Sequence, residues 1–114
     1  MKKVTLTLMF FIIMLHMMSL SVQVEEATYQ VTDTITAVLS SEGVLTISGT
    51  GELPDYMIAP QAPWYMKRES VKKIVVEEGI TRIGDNVFSE CSCEEVKLPS
   101  TLISIGKNGF FCCV

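Results

Sequence analysis

Four cysteines carry the most reactive side chains of this 114-residue chain: Cys91, Cys93, Cys112 and Cys113. Four thiolates can hold a zinc ion in tetrahedral geometry. Zinc knuckles space their cysteines as two Cys-x₂-Cys pairs, whereas here a Cys-x-Cys is followed by two adjacent cysteines. The spacing therefore argues against a metal site, and the sequence indicates no metal and no other cofactor.

Acid, base and nucleophilic chemistry find little support in the chain. The only histidine is His16, in an apolar N-terminal stretch, so the rest of the chain lacks the imidazole of a Ser-His-Asp or Cys-His arrangement. Gly49-Thr50-Gly51 lacks the lysine and the strand-to-helix context of a phosphate loop, and is typical of a bend after a strand. We therefore expect no enzymatic activity and assign no catalytic residue.

Carboxylates are the remaining candidates, because two of them at a suitable separation can cleave a glycosidic bond. Glu77-Glu78 and Glu94-Glu95 are neighbours in sequence, so the two side chains of each pair diverge along a strand or a turn. Nothing in the sequence selects a catalytic pair. These residues are predicted to form a solvated acidic edge.

The first 21 residues have the order of a secretion signal. Lys2 and Lys3 precede an uncharged stretch, residues 4–24, which contains the apolar run 8–15. Ser19-Leu20-Ser21 supplies small residues for a cleavage site after Ser21. The alternative is an uncleaved anchor, because the uncharged stretch can just span a bilayer core of about 30 Å. We predict a signal peptide at 1–21, a β-rich N-terminal cap at 22–70 and repeats at 71–114.

Charge restricts the partners of the exported chain. Without Lys2 and Lys3, seven Lys and Arg face 13 Asp and Glu, a net charge of −6. Nucleic acid is disfavoured as a partner, because phosphate binding needs concentrated positive charge. The basic cluster at Lys67-Arg68 and Lys72-Lys73 is offset by Glu69 and Glu77-Glu78, which is typical of a solvated rim. No membrane contact is expected after signal cleavage.

An internal repeat decides the expected fold class. Residues 74–91 (the first repeat) align with residues 96–113 (the second repeat) at an offset of 22, with five identities in 18 pairs. About one identity is expected by chance. A period of 22 with apolar residues at fixed phases is typical of a leucine-rich repeat, in which each unit is a short strand and a return segment. The five identical pairs are Ile83 and Ile105, Gly84 and Gly106, Asn86 and Asn108, Phe88 and Phe110, and Cys91 and Cys113.

The phases of the repeat assign side chains to the core or to solvent. Period-2 alternation points the strand residues Ile74, Val76, Val96 and Leu98 inward. Beyond each strand, a second set of apolar residues also points inward. The glycine that follows permits a turn that a Cβ would strain, and the phenylalanine closes the core from the far side. The second set comprises Ile80, Ile83, Leu102 and Ile105. The residues expected to face solvent are Lys73, Val75, Glu77, Glu95, Lys97 and Pro99.

Two motifs resemble the BspA-like leucine-rich repeats of bacterial surface proteins. Residues 79–91 and 98–106 are similar to the family unit L-P-x-x-V-T-x-I-G-x-x-A-F-x-x-C. Residues 43–56 and 62–65 resemble a cap reading G-x-L-T-I-S-G-x-G-x-M-P-D-Y followed by A-P-W-Y. Leu53, Val87 and Gly109 depart from these patterns. The resemblance implies a right-handed leucine-rich-repeat solenoid of the β-rich or α+β class, here a truncated one of about two units.

The cap is also predicted directly from its residues. Ile35, Ala37 and Leu39 alternate with polar neighbours, residues 40–43 favour a turn, and Leu45 and Ile47 alternate again, which indicates a β-hairpin. Such a hairpin can cover the open end of the first repeat. A lone aromatic residue is usually part of the core, so Trp64 is expected to plug the junction between cap and repeats rather than to bind a ligand.

The cysteines keep two alternatives within this repeat scheme. Cys91 and Cys113 occupy one repeat position, where a thiol can act as a small apolar core group. Secretion also permits a disulfide between them, because adjacent solenoid turns lie about 5 Å apart.

The family resemblance implies a secreted or cell-surface protein that binds host or matrix proteins without catalysis. Two alternatives remain, namely the leading part of a larger secreted enzyme such as a cell-wall hydrolase, and a truncated product without function. The second repeat leaves Leu98, Ile105 and Phe110 without a neighbour, which predicts an open apolar edge and self-association.

Overall fold

A computed structural model describes residues 26–58 and 61–111 of the chain. The predicted signal peptide, its cleavage site after Ser21, and Cys112 and Cys113 lie outside the described residues. The strands are β1 (Ala27–Gln30), β2 (Ile35–Leu39), β3 (Val44–Gly49), β4 (Gly51–Glu52), β5 (Lys73–Val76), β6 (Ile80–Ile83), β7 (Glu95–Lys97) and β8 (Ser104–Ile105), and a 3₁₀ helix spans Tyr65–Ser70.

The strands form two open sheets. One has five strands in the order β1-β2-β3-β5-β7, and the other has three in the order β4-β6-β8. β1, β2 and β3 pair antiparallel, whereas all other pairs are parallel. Parallel pairing needs a connection that returns the chain to the same end, and each repeat supplies it through the second sheet.

The predicted β-hairpin is confirmed. Leu39 on β2 faces Leu45 on β3, and the inward residues of both strands are buried. The hairpin covers the first repeat as an added layer, because β3 pairs in parallel with β5 and Val44 lies opposite Lys73. We call residues 44–58, which run through β3 and β4, the cap layer.

The predicted repeat offset is also confirmed by strand pairing. Ile74 lies opposite Val96 in the first sheet, and Ile83 lies opposite Ile105 in the second. Both pairs are 22 residues apart in sequence. The two repeats therefore stack with equivalent residues in contact, as the alignment requires.

Burial separates the two repeats. Ile74 is fully buried and Val76 is 2% exposed, as predicted. Val96, which was predicted to be covered, is 37% exposed, whereas the 41% exposure of Leu98 is what a residue predicted to lack a neighbour should show. These residues follow the phase of the first repeat, but nothing in the described part of the chain packs beyond them.

Pro99 was predicted to face solvent, but it is buried. β7 ends at Lys97, so Pro99 belongs to the return segment, where period 2 no longer applies. Its carbonyl oxygen accepts a hydrogen bond from the Leu102 N–H at 3.3 Å.

Gly84 and Gly106 are required for a reason other than the predicted turn. A Cβ on Gly84 would lie 2.2 Å from the Pro54 carbonyl oxygen, and one on Gly106 would lie 2.3 Å from Asp85 Oδ1. The glycines therefore permit adjacent layers to approach closely. The equivalent asparagines of the two repeats adopt the left-handed backbone conformation instead, with φ of 58° at Asn86 and 57° at Asn108.

The predicted role of Trp64 as a plug is confirmed. Its ring is 1% exposed and stacks on Phe88 with centroids 5.7 Å apart, and Phe88 stacks on Phe110 at 5.2 Å. Tyr29 and Tyr56 meet the indole edge to face, at 6.1 and 6.5 Å. The indole Nε1 donates to the Val87 carbonyl oxygen at 3.0 Å. The aromatic stack joins the cap to both repeats, and the Val87 carbonyl oxygen satisfies the buried indole N–H.

Candidate binding surface

On the outer face of the five-stranded sheet, side chains of neighbouring strands are aligned in rows. One row of side chains crosses all five strands, because the strand registers align Thr28, Val38, Thr46, Val75 and Lys97. Each of these residues is exposed or half-buried. At about 4.8 Å per strand, the row is about 19 Å long.

Two shorter rows flank this central row. Gln30, Thr36 and Ser48 lie side by side, and the Thr36 and Ser48 hydroxyls are hydrogen-bonded at 3.3 Å. Lys73 and Glu95 lie side by side on the other flank, with Lys73 Nζ 3.5 Å from Glu95 Oε2. These three rows, which we call the outer face, carry hydroxyls, β-branched side chains and one ion pair.

Sequence reasoning found only part of the outer face. It identified Lys73, Val75, Glu95 and Lys97 as solvent-facing, and all four are exposed or half-buried. It did not place Thr28, Thr36 or Thr46 beside them, because the antiparallel addition of β1 and β2 to a parallel sheet has no signature in the repeat period. The alternation in residues 35–47 is the signal that could have extended the face.

A carboxylate at the end of each layer holds the backbone of the next. Asp55 Oδ1 accepts a hydrogen bond from the Asp85 N–H at 2.7 Å, and Asp85 Oδ1 accepts one from the Lys107 N–H at 2.7 Å. Arg82 lies beside both, with its Nη1 2.9 Å from Asp55 Oδ1. The Asp85 N–H, followed by the Arg82 side chain, lowers the pKa of Asp55 below its ordinary value.

Glu78 plays the same part at the start of the return segment. Its carboxylate accepts hydrogen bonds from the N–H and the hydroxyl of Ser100, both at 2.8 Å. These bonds, the backbone one first, lower the pKa of Glu78. Glu78 therefore connects the first repeat to the second through hydrogen bonds from Ser100.

The basic cluster is bound by acidic residues other than the predicted ones. Arg68 Nε lies 3.8 Å from Glu90 Oε2, and its guanidinium carbon lies 4.2 Å from the centre of the Tyr65 ring. The Tyr65 hydroxyl also bonds to Glu90, which raises the pKa of Tyr65. Lys73 is paired with Glu95 as described. Two of the four basic residues are thus in ion pairs, and Lys72 Nζ donates to the Glu69 carbonyl oxygen at 3.2 Å.

The cysteines within the described residues are core residues. Cys91 is 1% exposed, which matches the predicted apolar position, and Cys93 is 3% exposed. In residues 26–58 and 61–111 no three His, Cys, Asp or Glu side chains come close enough to hold a metal ion. The alternative disulfide involves Cys113, which lies outside these residues.

Gly49-Thr50-Gly51 forms the predicted bend. It connects β3 to β4, and the Thr34 hydroxyl donates to the Thr50 carbonyl oxygen at 2.7 Å. The Gly51 N–H donates to the Gly79 carbonyl oxygen at 3.0 Å, so the bend also joins the cap layer to the first repeat.

Comparisons with known proteins fit this geometry. Residues 62–114 match the family model described as "BspA type Leucine rich repeat region (6 copies)". Residues 62–114 carry leucine-rich repeats of the BspA type. A crystal structure of a leucine-rich repeat protein from Eubacterium ventriosum is 43% identical to this chain, with a TM-score of 0.74. The similarity covers 79% of this chain and 24% of that one, so the chain spans about a quarter of the length of its solved relative.

A search of curated proteins gives no match. The family match and the solved relative indicate a protein-interaction module at the level of the family, and they point to a non-enzymatic repeat module. Within the described residues, no helix is long and apolar enough to cross a membrane.

Proposed function

We propose that the chain is an exported BspA-type leucine-rich-repeat module, a short right-handed solenoid that binds a protein ligand on its outer face. The observation that carries the proposal is the central row of that face, which crosses five strands without interruption. The three inner strands, β2, β3 and β5, are hydrogen-bonded on both sides and present the middle of this row rigidly, so little ordering entropy is lost on binding there.

The chemistry of the outer face favours a protein surface over a small molecule. Its side chains form a flat array instead of a cavity, and small ligands bind in concave pockets. The mixture of hydroxyl, methyl and oppositely charged groups suits a polar protein surface of either sign. We propose a host or matrix protein as the ligand, at the bacterial cell surface or in the medium.

A groove on another part of the molecule is a weaker candidate. It has a volume of about 330 Å³ and is lined by Met57, Ile58, Tyr65, Glu90 and Phe111, among others. Glu90 is already engaged by Arg68 and Tyr65 there.

The alternative of a larger secreted enzyme that begins with these repeats is tested by the coding sequence beyond Val114.

The binding proposal is tested with protein recovered from the medium of a bacterium expressing the whole chain. Mass spectrometry of the recovered protein shows whether cleavage follows Ser21. An intact Met1 N-terminus in the membrane fraction would support the anchor. Surface plasmon resonance against fibronectin, fibrinogen and laminin, with albumin as reference, measures binding.

Thr46→Glu and Val75→Glu are the informative variants, because both place a charge in the centre of the outer face. We expect either substitution to weaken binding at least about tenfold, since a buried unpaired charge is costly at an interface. Ser41→Glu, in the exposed hairpin turn, is the matched control and should bind as the unaltered chain does. Equal affinity of all three variants would place the binding surface elsewhere.

A further inference from the structure

Within residues 26–58 and 61–111, the five-stranded sheet ends in an exposed edge at β7. All three residues of β7 are exposed, Leu98 next to it is 41% exposed, and Ile105 on the edge strand β8 of the other sheet is 47% exposed. An exposed edge strand with apolar side chains is a template for pairing with another strand. The predicted self-association can therefore be sharpened by asking which strand fits this edge.

The backbone direction of β7 fixes one part of the answer. The Lys73 and Glu77 N–H groups donate to carbonyl oxygens of the β3 side at 3.1 and 2.9 Å, so the backbone groups of Lys73 and Val75 point toward β3. Backbone groups of successive strand residues point to opposite sides, so those of Ile74 point toward β7. A residue in a parallel pair bonds to the two neighbours of its partner, so the backbone groups of Glu95 and Lys97 point toward β5 and those of Val96 point outward along the free edge.

The side chains of β7 fix the other part. Its sequence is Glu95-Val96-Lys97, an acidic and a basic residue placed symmetrically about an apolar one. In an antiparallel pair centred on Val96, Glu95 of one copy lies opposite Lys97 of the other, and the reverse. The two Val96 residues would then exchange both backbone hydrogen bonds. The flanking Glu95–Lys97 pairs would lie at non-hydrogen-bonded positions, where side chains are closer, and oppositely charged cross-strand pairs are favourable there.

We propose that a second copy of this chain occupies the edge, with β7 antiparallel to β7 about a twofold axis through Val96. The arrangement joins two five-stranded sheets into one and brings the exposed Val96, Leu98 and Ile105 of both copies together. It leaves the outer face continuous across the dimer, with the central row of each copy leading into the Lys73–Glu95 row of the other, so the proposal extends beyond ligand binding by one chain.

Pairing of β7 with the opposite edge strand fits less well. β1 has the sequence Ala-Thr-Tyr-Gln, which offers no charge to either Glu95 or Lys97. Such a head-to-tail contact is also not self-complementary, so it produces rings or open filaments, whereas the twofold contact closes at two copies.

Charge reversal tests the proposed register. Lys97→Glu places two acidic residues opposite each other, and Glu95→Lys places two basic residues there, so each variant should dimerise at least about tenfold more weakly. Lys67→Glu, the same change at an exposed residue away from the edge, is the matched control and should dimerise normally. Analytical ultracentrifugation of the exported chain over a concentration series gives the dissociation constants, and circular dichroism checks that every variant is folded.

Mixing the two reversed variants provides the decisive measurement. The two acidic side chains on β7 of the Lys97→Glu chain then face the two basic side chains on β7 of the Glu95→Lys chain. An equimolar mixture should therefore recover the dimer that each variant lacks alone. The proposal is overturned by a wild type that is monomeric at every concentration or forms filaments. It is equally overturned by a Lys97→Glu variant that dimerises normally, or by a mixture that stays monomeric. These outcomes concern oligomeric state alone and are separable from failure of ligand binding.

Discussion

The first and second repeats have nearly the same pattern but very different surroundings. Ile83 and Ile105 are identical and lie opposite each other, yet Ile83 is fully buried and Ile105 is 47% exposed. Likewise Val76 is 2% exposed and its equivalent Leu98 is 41% exposed. The first repeat lies between the cap layer and the second repeat, whereas the second has a described neighbour on one side only. Burial in a repeat protein is thus a property of the neighbours as much as of the residue.

The largest effect expected from this difference concerns the stacked phenylalanines. Phe88 is fully buried between Trp64 and Phe110, so Phe88→Ala should lower the free energy of unfolding by about 3–5 kcal/mol. Phe110 is half-buried, and Phe110→Ala should cost about 1–2 kcal/mol. Lys97→Ala should remain within about 0.5 kcal/mol. Urea denaturation at concentrations that give monomer measures all three, and equal midpoints for Phe88→Ala and Phe110→Ala would contradict the comparison.

The equivalent glycines should differ by a smaller amount. Gly84→Ala pushes a methyl group into the Pro54 and Leu53 backbone, which cannot move aside, and should cost about 1–3 kcal/mol. For Gly106→Ala the closest atom belongs to the Asp85 carboxylate, although the Asp85 backbone nitrogen lies at 2.7 Å. A rotation of that side chain relieves part of the contact, so we expect a smaller loss. Thermal melting compares the two, and an unchanged Gly84→Ala would refute the close approach of the layers.

The smallest effect is a dependence of stability on acidic pH. Ser100 lowers the pKa of Glu78 below 4.5, and Asp85 with Arg82 lowers that of Asp55 below 3.8. A carboxyl group with a lowered folded pKa stabilises the protein above its unfolded pKa. That contribution is lost as the pH falls from these values through the folded pKa. The melting temperature should therefore drop between about pH 5 and the acid limit.

Glu78→Gln should reduce this pH dependence, because the amide cannot titrate. Glu77→Gln removes the same charge next to it without touching the Ser100 contact, so it serves as the control. Melting curves at pH 3 and pH 6 for both variants make the comparison, and the idea fails if Glu77→Gln flattens the profile more than Glu78→Gln.

The amino-acid sequence alone determined the period and the inward residues of the first repeat. The offset of 22, the hairpin over residues 35–47, and the buried Ile74 and Phe88 follow from periodicity, and the buried Trp64 from the usual place of a lone aromatic residue. Local patterns suffice in the first repeat because β5 has a paired strand on both sides, so its inward side chains are buried. The repeat alignment could not reveal the role of Asp85, since its equivalent in the second repeat is Lys107.

Only the tertiary structure decided which of the patterned residues are covered and what the polar ones hold. The exposure of Val96, the burial of Pro99, and the close approach that requires Gly84 and Gly106 depend on how layers stack. The carboxylates of Asp55, Asp85 and Glu78 bind backbone N–H groups 22 or 30 residues away. Such contacts form between layers brought together by folding, so no pattern within a single repeat specifies them.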